Sequence, residues 1–436
     1  MIEKGILSVA PQGDDYVLTW DLAKAVAAAD APVALKVSPW VNRITPTLDG
    51  GRLAHRASLP TLSFGAGGKG ESGTLAFDGF RFDAPFDPAA PEFFRAKLAL
   101  GEVKADVKSR AGAEMQHWVL TQSGGAGELR LRPGGAGAVD ARRTQSAAAS
   151  SEKSSIVGEG GEESPAGETR HGAATAESAV IGLRAAAFCE LWRLLVAHAD
   201  RGPPSGEDLR PKLATLAPLW QELSGRVEVG DVAVAFPGGT LNFKSAGEEV
   251  KMSGALAHSS AALALVVKDL TVDLEAAPDW VKTIWPLSLA LQIESGFDGL
   301  DRAIEITFAD PELFKPGDLD EDARTAIKQT LAGGHPRVAV SETWFAIPLV
   351  KATFAGEARF GETGPEARAK ITADDLDKLL AAIAENHGER AGRAPVLFLA
   401  TFVRGLAKTE GGRLVWNLEY VAPNAVKVNG QLFPPN

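Results

Sequence analysis

A chain of 436 residues, 45% hydrophobic and 23% charged, is long enough for two or three ordinary domains or for one long sheet. Its net charge of -11 argues against nucleic acid and against electrostatic docking on anionic headgroups, both of which need a dense basic face. One cysteine, Cys189, rules out an internal disulfide or a multi-cysteine metal site; in the apolar stretch Ala185–Val196 it reads as a buried, inert thiol.

No stretch approaches the ~18–20 apolar residues of a membrane-spanning helix. The start, Met1-Ile2-Glu3-Lys4-Gly5, has neither the basic nor the apolar region of a secretory leader. That predicts a cytoplasmic chain, or one whose leader has been replaced by a start methionine.

Residues 5–132 read mostly as strand, with one short Ala-rich helix at Leu22–Ala29. A recurrent pattern appears within them. Apolar alternation runs Leu75, Phe77, then slips by one residue at Gly79 to Phe80 and Phe82. Leu98 and Leu100 slip at Gly101 to Val103, Ala105 and Val107, and Val227 and Val229 slip at Gly230 to Val232, Val234 and Phe236. Side chains alternate faces with a period of two, so each slip requires a bulge or bend if one face is to stay apolar. The expectation is long, bent strands that keep these residues on one continuous apolar surface.

From Gly134 to Ser178 the only large apolar residues are Val139, Ile156 and Val157. This composition predicts a disordered insertion at 133–178, between a β-rich half at 1–132 and a second at 179–436. Helix-period apolar residues follow at Ala185–Ala199 and Glu207–Leu223, and strands resume across 226–308. An acidic helix start is expected at Asp322–Leu331. Thr372–Asn386 opens on a capping-box-like Thr372/Asp375 pair, and with Pro395–Leu406 it predicts a helical hairpin lying on a sheet. The chain ends on a strand pair around Asn429-Gly430, a strong hairpin signal. The fold class is β-rich α+β: a long, bent, mostly antiparallel sheet with packing helices near 185–223 and 372–406 and a disordered insertion.

Motifs for chemistry fail on context. Gly65-Ala66-Gly67-Gly68-Lys69-Gly70 matches a dinucleotide fingerprint, but a strand follows where a helix is required. Asp318-Leu319-Asp320-Glu321-Asp322 opens like a calcium loop, yet Ala323 stands at the glycine position and Gln329 at the bidentate glutamate position. The seven histidines are dispersed without ligand spacing, and no G-x-S-x-G elbow exists. Nine tryptophans, spread one per segment, read as core plugs, with Trp280 and Trp285 flanking a candidate interfacial segment. No catalytic, cofactor or metal residue is assigned.

In the last third, Phe345–Phe360 leads into Ala369-Lys370-Ile371-Thr372-Ala373-Asp374-Asp375-Leu376-Asp377-Lys378-Leu379. Then come the helical pair, Gly411-Gly412-Arg413-Leu414-Val415-Trp416-Asn417-Leu418-Glu419-Tyr420, and Val426-Lys427-Val428-Asn429-Gly430. Together with Leu98–Val107 and Phe297-Asp298-Gly299-Leu300-Asp301, this resembles the YdgA/AsmA-like envelope proteins, an alphaproteobacterial group with a domain of unknown function. The resemblance implies a periplasmic location and an N-terminal membrane anchor or leader, from which the start of this sequence departs, and it supplies no catalytic residues to carry over. The function expected is a non-enzymatic envelope protein whose apolar sheet face or groove, with Leu75, Phe77, Phe80, Phe82, Val232, Val234 and Phe236, binds or moves lipid or another apolar ligand. The alternatives are a purely scaffolding envelope protein and a hydrolase built on dispersed carboxylates.

Overall fold

The computed structural model describes residues 5–28, 33–36, 39–45, 62–66, 71–85, 93–111, 114–158, 160–198, 204–254, 256–275, 285–309, 321–361, 364–385, 393–421 and 425–433. The chain begins with β1 (Leu7–Gln12), β2 (Asp15–Trp20), α1 (Leu22–Ala28), β3 (Val33–Lys36) and β4 (Trp40–Ile44). Of these β1, β2 and β4 make a separate three-stranded sheet. All else that is strand joins one large antiparallel sheet. Its first part is β5 (Leu62–Ala66), β6 (Ser72–Asp78), β7 (Arg81–Asp83), β8 (Phe94–Ala111), β9 (Glu114–Pro133), β10 (Val139–Ala147), β11 (Ala149–Val157), β12 (Glu163–His171) and β13 (Ala174–Leu183). After α2 (Ala185–Ala197) and α3 (Gly206–Leu216) come β14 (Glu222–Phe236), β15 (Gly239–Ser253), β16 (His258–Leu274) and β17 (Leu287–Asp298). After α4 (Leu300–Ala309) and α5 (Glu321–Gly333) follow β18 (Arg337–Ile347), β19 (Val350–Gly361) and β20 (Gly364–Asp374). Then come α6 (Leu376–Glu385), α7 (Arg393–Gly405), β21 (Lys408–Glu410), β22 (Arg413–Val421), β23 (Ala425–Val428) and β24 (Gln431–Phe433).

The segment expected to be a disordered insertion is instead the middle of the sheet. β10 pairs β9 with Ser146 opposite Ala126, and β11 continues with Ala149 opposite Ser123, in the same register. β10 and β11 also pair β13 and β12 in one register, Ala147 opposite Ala174 and Ser150 opposite His171. β13 and β12 in turn run along β14 in one register. Residues 139–183 therefore form a single long hairpin, broken once in each arm. The circuit of pairings β9–β10–β13–β14–β12–β11 closes around those breaks and not around a lumen. Among the described residues β3 pairs only β5 and β24 pairs only β23, so the sheet has two ends. Its small polar residues fail a burial criterion, but both arms have a partner strand on each side, and the backbone groups are satisfied by the ladders.

The breaks line up across the sheet as a crease. Left-handed backbone occurs there at Gly79 (φ 61°), Gly124 (φ 63°), Asp231 (φ 49°) and Asp269 (φ 54°). Gly79 and Gly101 face each other, and a Cβ on Gly79 would sit 3.2 Å from the Gly101 nitrogen. In β14 the left-handed residue is Asp231, next to the glycine that marks the slip. β16 carries Lys268 and Asp269 against Ser288 alone, and β18 carries two residues against Ala355, each a one-residue bulge.

Other expectations shift locally. Residues 300–308, expected as strand, lie in helix α4. α3 ends at Leu216, short of the expected Leu223. Thr372 does not cap α6; it lies in β20, its hydroxyl 2.7 Å from that of Thr353 in β19. Phe345–Phe360 spans the hairpin of β18 and β19. Asp318, Asp320 and Trp280 lie outside the described residues. The Asn429-Gly430 hairpin forms as expected, with φ of 50° and 86°.

A crease of this kind makes Gly124 sensitive. A Cβ there would approach the Ala148 Cβ to 2.7 Å in a backbone conformation that L residues avoid. Gly124→Ala is expected to cost about 1–3 kcal/mol, whereas Gly135→Ala, with no atom within 4 Å of its Cβ, serves as the neutral comparison. Urea denaturation midpoints of the two variants check this.

Candidate functional surface

Residues directly opposed on neighbouring strands share a face, so a face can be followed from strand to strand. β17 alternates without a break through Leu287, Leu289, Leu291 and Ile293. Opposite it stand Leu270, Val267, Leu265 and Leu263 of β16, so the bulge at Asp269 leaves both halves of β16 on one face. β15 follows with Leu241 opposite Val272 and Ala246 opposite Val267. β14 follows with Val234 opposite Leu241, Val232 opposite Phe243 and Val229 opposite Ala246. Traced through the long hairpin and β9, the same face reaches Ala105 and Leu98 of β8, and from there Leu75, opposite Ala105, and Phe82, opposite Leu98.

The residues singled out by their alternation are thus placed as follows. Leu75, Phe77 (opposite Val103) and Phe82 lie on this face near one end of the sheet; Phe80, half-buried, sits in the break between β6 and β7. Val232, Val234 and Phe236 lie on the same face in β14. The two groups do not meet. Between them stand β8, β9 and the long hairpin, and the hairpin contributes Arg143, Gln145, Glu152 and Thr169 to this face. The continuous apolar surface expected from the sequence is therefore two apolar fields divided by a polar seam, because strands rich in Ser, Thr, Glu and Arg fill the centre.

Both fields are open. No side chain among the described residues is completely buried, which makes the sheet a single layer. Trp118, Val227, Leu263, Leu274, Phe345 and Phe360 are each more than a third exposed, and all six lie on this face. Trp118 and Trp192, expected as core plugs, are exposed; Cys189 is exposed on α2, against the expected buried thiol. Val232 of β14 is buried; helix cover among the described residues is seen near β20 and β22. There the α6–α7 hairpin lies against Ala352, Ala373 and Trp416, and Trp416 Nε1 donates to the Val403 carbonyl at 2.8 Å. Arg404 pairs with Asp377 to tie the two helices together.

The opposite face is charged. Arg226 stands opposite Glu249, and Arg368 opposite Glu419. One cluster here was not visible from spacing. His117 Nδ1 lies 2.9 Å from Glu163 and its Nε2 3.0 Å from Asp106. With a carboxylate at each nitrogen, the protonated ring donates to both, so the site favours the imidazolium form. Glu163 also accepts from Lys108 (3.1 Å) and Ser155 (3.1 Å). The histidine bond first, then that of the lysine, brings the Glu163 carboxyl down to about 2. The Glu163 bond is the largest influence raising His117, partly opposed by burial and reinforced by Asp106. His117 and Glu163 line a cavity of about 850 Å³ with Phe236 and Pro237. Both ring nitrogens of His117 and both carboxylate oxygens of Glu163 are engaged within the cluster. It is a clamp joining β8, β9 and β12.

Among the described residues no group of three or more metal-ligating side chains could hold an ion, and no helix is long and apolar enough to cross a membrane. No family model, no curated protein and no solved structure matches the chain.

The clamp makes stability depend on pH in two directions. Glu163 is depressed when folded, so its contribution is complete above about 4.5 and is lost as pH falls towards 2. His117 is raised when folded, so its contribution is complete below 6.5 and is lost as pH rises through the folded value. Stability from the clamp is therefore greatest between pH 4.5 and 6.5. In Glu163→Gln the His117 titration, followed by imidazole NMR, is expected to move down, and the alkaline loss of stability moves with it.

Proposed function

We propose that this is a non-enzymatic cell-envelope protein that binds lipid or another apolar ligand on the open apolar face of its sheet. The carrying observation is that two apolar fields lie uncovered on one face of a single-layer sheet. Where a helical hairpin is available, as at Trp416, the same face is buried; elsewhere each exposed large apolar side chain forgoes about 1.5–3 kcal/mol of burial. A ligand with an extended apolar body recovers that energy without needing a shaped cavity. Resemblance to YdgA/AsmA-like envelope proteins favours a membrane lipid as the ligand.

Phe345 provides the test, because its exposure lets it be changed with little cost to folding. Lipid extracted from the purified chain, and binding of a fluorescent fatty acid, are expected to fall severalfold in a Phe345→Asp, Leu263→Asp double variant. Lys351→Ala, on the charged face, is expected to bind as the parent does. If the parent carries no extractable lipid and does not bind the probe, the reading is wrong.

A further inference from the structure

We infer that the charged face carries a binding site for a phosphate group, centred on Arg130 and Arg142. Arg95 of β8 stands directly opposite Arg130 of β9, and Arg130 directly opposite Arg142 of β10. Directly opposed side chains have Cβ atoms about 5 Å apart, where like charges destabilise a sheet. Elsewhere this face pairs unlike charges at Lys153 with Glu168, Lys251 with Glu249 and Arg368 with Glu419, and like charges at Arg337 opposite Arg359 and Asp78 opposite Glu102. Arg95, Arg130 and Arg142 extend the like-charge contact over three neighbouring strands.

Glu128 bonds both Arg95 and Arg130, the latter at 2.6 Å, so one carboxylate serves two cations. Its carboxyl is held below the ordinary range, by Arg130 first and also by Arg95. Among the described residues the Arg142 side chain has no hydrogen-bond or ion-pair partner. It lines, with Arg130, Arg226 and Lys251, a cavity of about 560 Å³ whose walls also carry Glu128, Glu177, Glu222 and Glu249. In a chain of net charge -11, a general attraction for anions is absent, so any anion held here is held by this row. The residues are arginines and not lysines. Two adjacent planar forks match the oxygens of a phosphate with parallel hydrogen bonds, a geometry that a point-charge ammonium does not offer. The phosphate could be free or carried on a lipid headgroup; the recognising chemistry is the same. This site lies on the face opposite the apolar fields and does not depend on the lipid-binding reading.

The test titrates inorganic phosphate into the full chain at low ionic strength by calorimetry, and separately measures co-sedimentation with phosphatidylcholine vesicles with and without phosphatidic acid. Saturable binding of free phosphate, or co-sedimentation that requires phosphatidic acid, is expected, and Arg142→Gln is expected to weaken it about tenfold or more, as the loss of a charge-assisted bidentate contact does. Lys153→Gln, on the same face but in the other half of the sheet, is expected to leave it unchanged. Phosphate is also expected to raise the unfolding midpoint of the parent and not of Arg142→Gln. Absence of binding in both arms, or equal binding by the parent and Arg142→Gln, would overturn the inference. So would an Arg142→Gln variant that is simply more stable than the parent while phosphate affects neither.

Discussion

Everything in this molecule depends on strand register surviving the crease. A sheet one layer thick has little core to correct a pairing error, and a slip of one residue moves every side chain of a strand to the other face. The registers on the two sides of the crease agree through β8, β9, the long hairpin, β14 and β15. The strands interrupt their alternation at the same level, so each direct neighbour changes step together with its partner. At the crease, β16 and β18 each take up an extra residue against a partner that does not. Left-handed residues at Gly79, Gly124, Asp231 and Asp269 are the local means, and the shared apolar face is the consequence.

That consequence was partly legible in the residues. The slips at Gly79, Gly101 and Gly230 are written in the alternation of Leu, Val and Phe, and the face they predict can be followed by register. The helices α6 and α7 and the Asn429-Gly430 hairpin also announce themselves through local signals. The long hairpin of 139–183 does not, because composition reports what a segment can bury and says nothing of the neighbours it can pair with. β9 and β14 supply waiting edges on either side, and backbone hydrogen bonds do not require large side chains. Thr372 shows the same limit at one residue: its spacing suits a helix cap, but β19 offers it the hydroxyl of Thr353.

The chemistry of the charged face was hidden for a related reason. His117, Asp106 and Glu163 are separated by 11 and 46 residues and meet only because β8, β9, β11 and β12 lie side by side. Arg95, Arg130 and Arg142 likewise have no meaning as a spacing. Once the register is known, they become three neighbours in a row. Sequence periodicity identifies which face a residue occupies; it does not identify what stands across from it.

The two faces make opposite demands that the long hairpin reconciles. A sheet apolar across its whole width on one side would expose an unbroken surface, an aggregation hazard of the kind that soluble proteins avoid. The hairpin places Arg143, Gln145 and Glu152 in the middle of that surface and divides it into two fields. Its other side contributes Arg142 to the arginine row, so one strand both interrupts the apolar face and completes that row on the charged one. A strand that is polar on both faces has weak register preferences of its own. Here its register is imposed from outside, by β9 on one side and β14 on the other, which is why such a segment can occupy the centre of the sheet and not its edge.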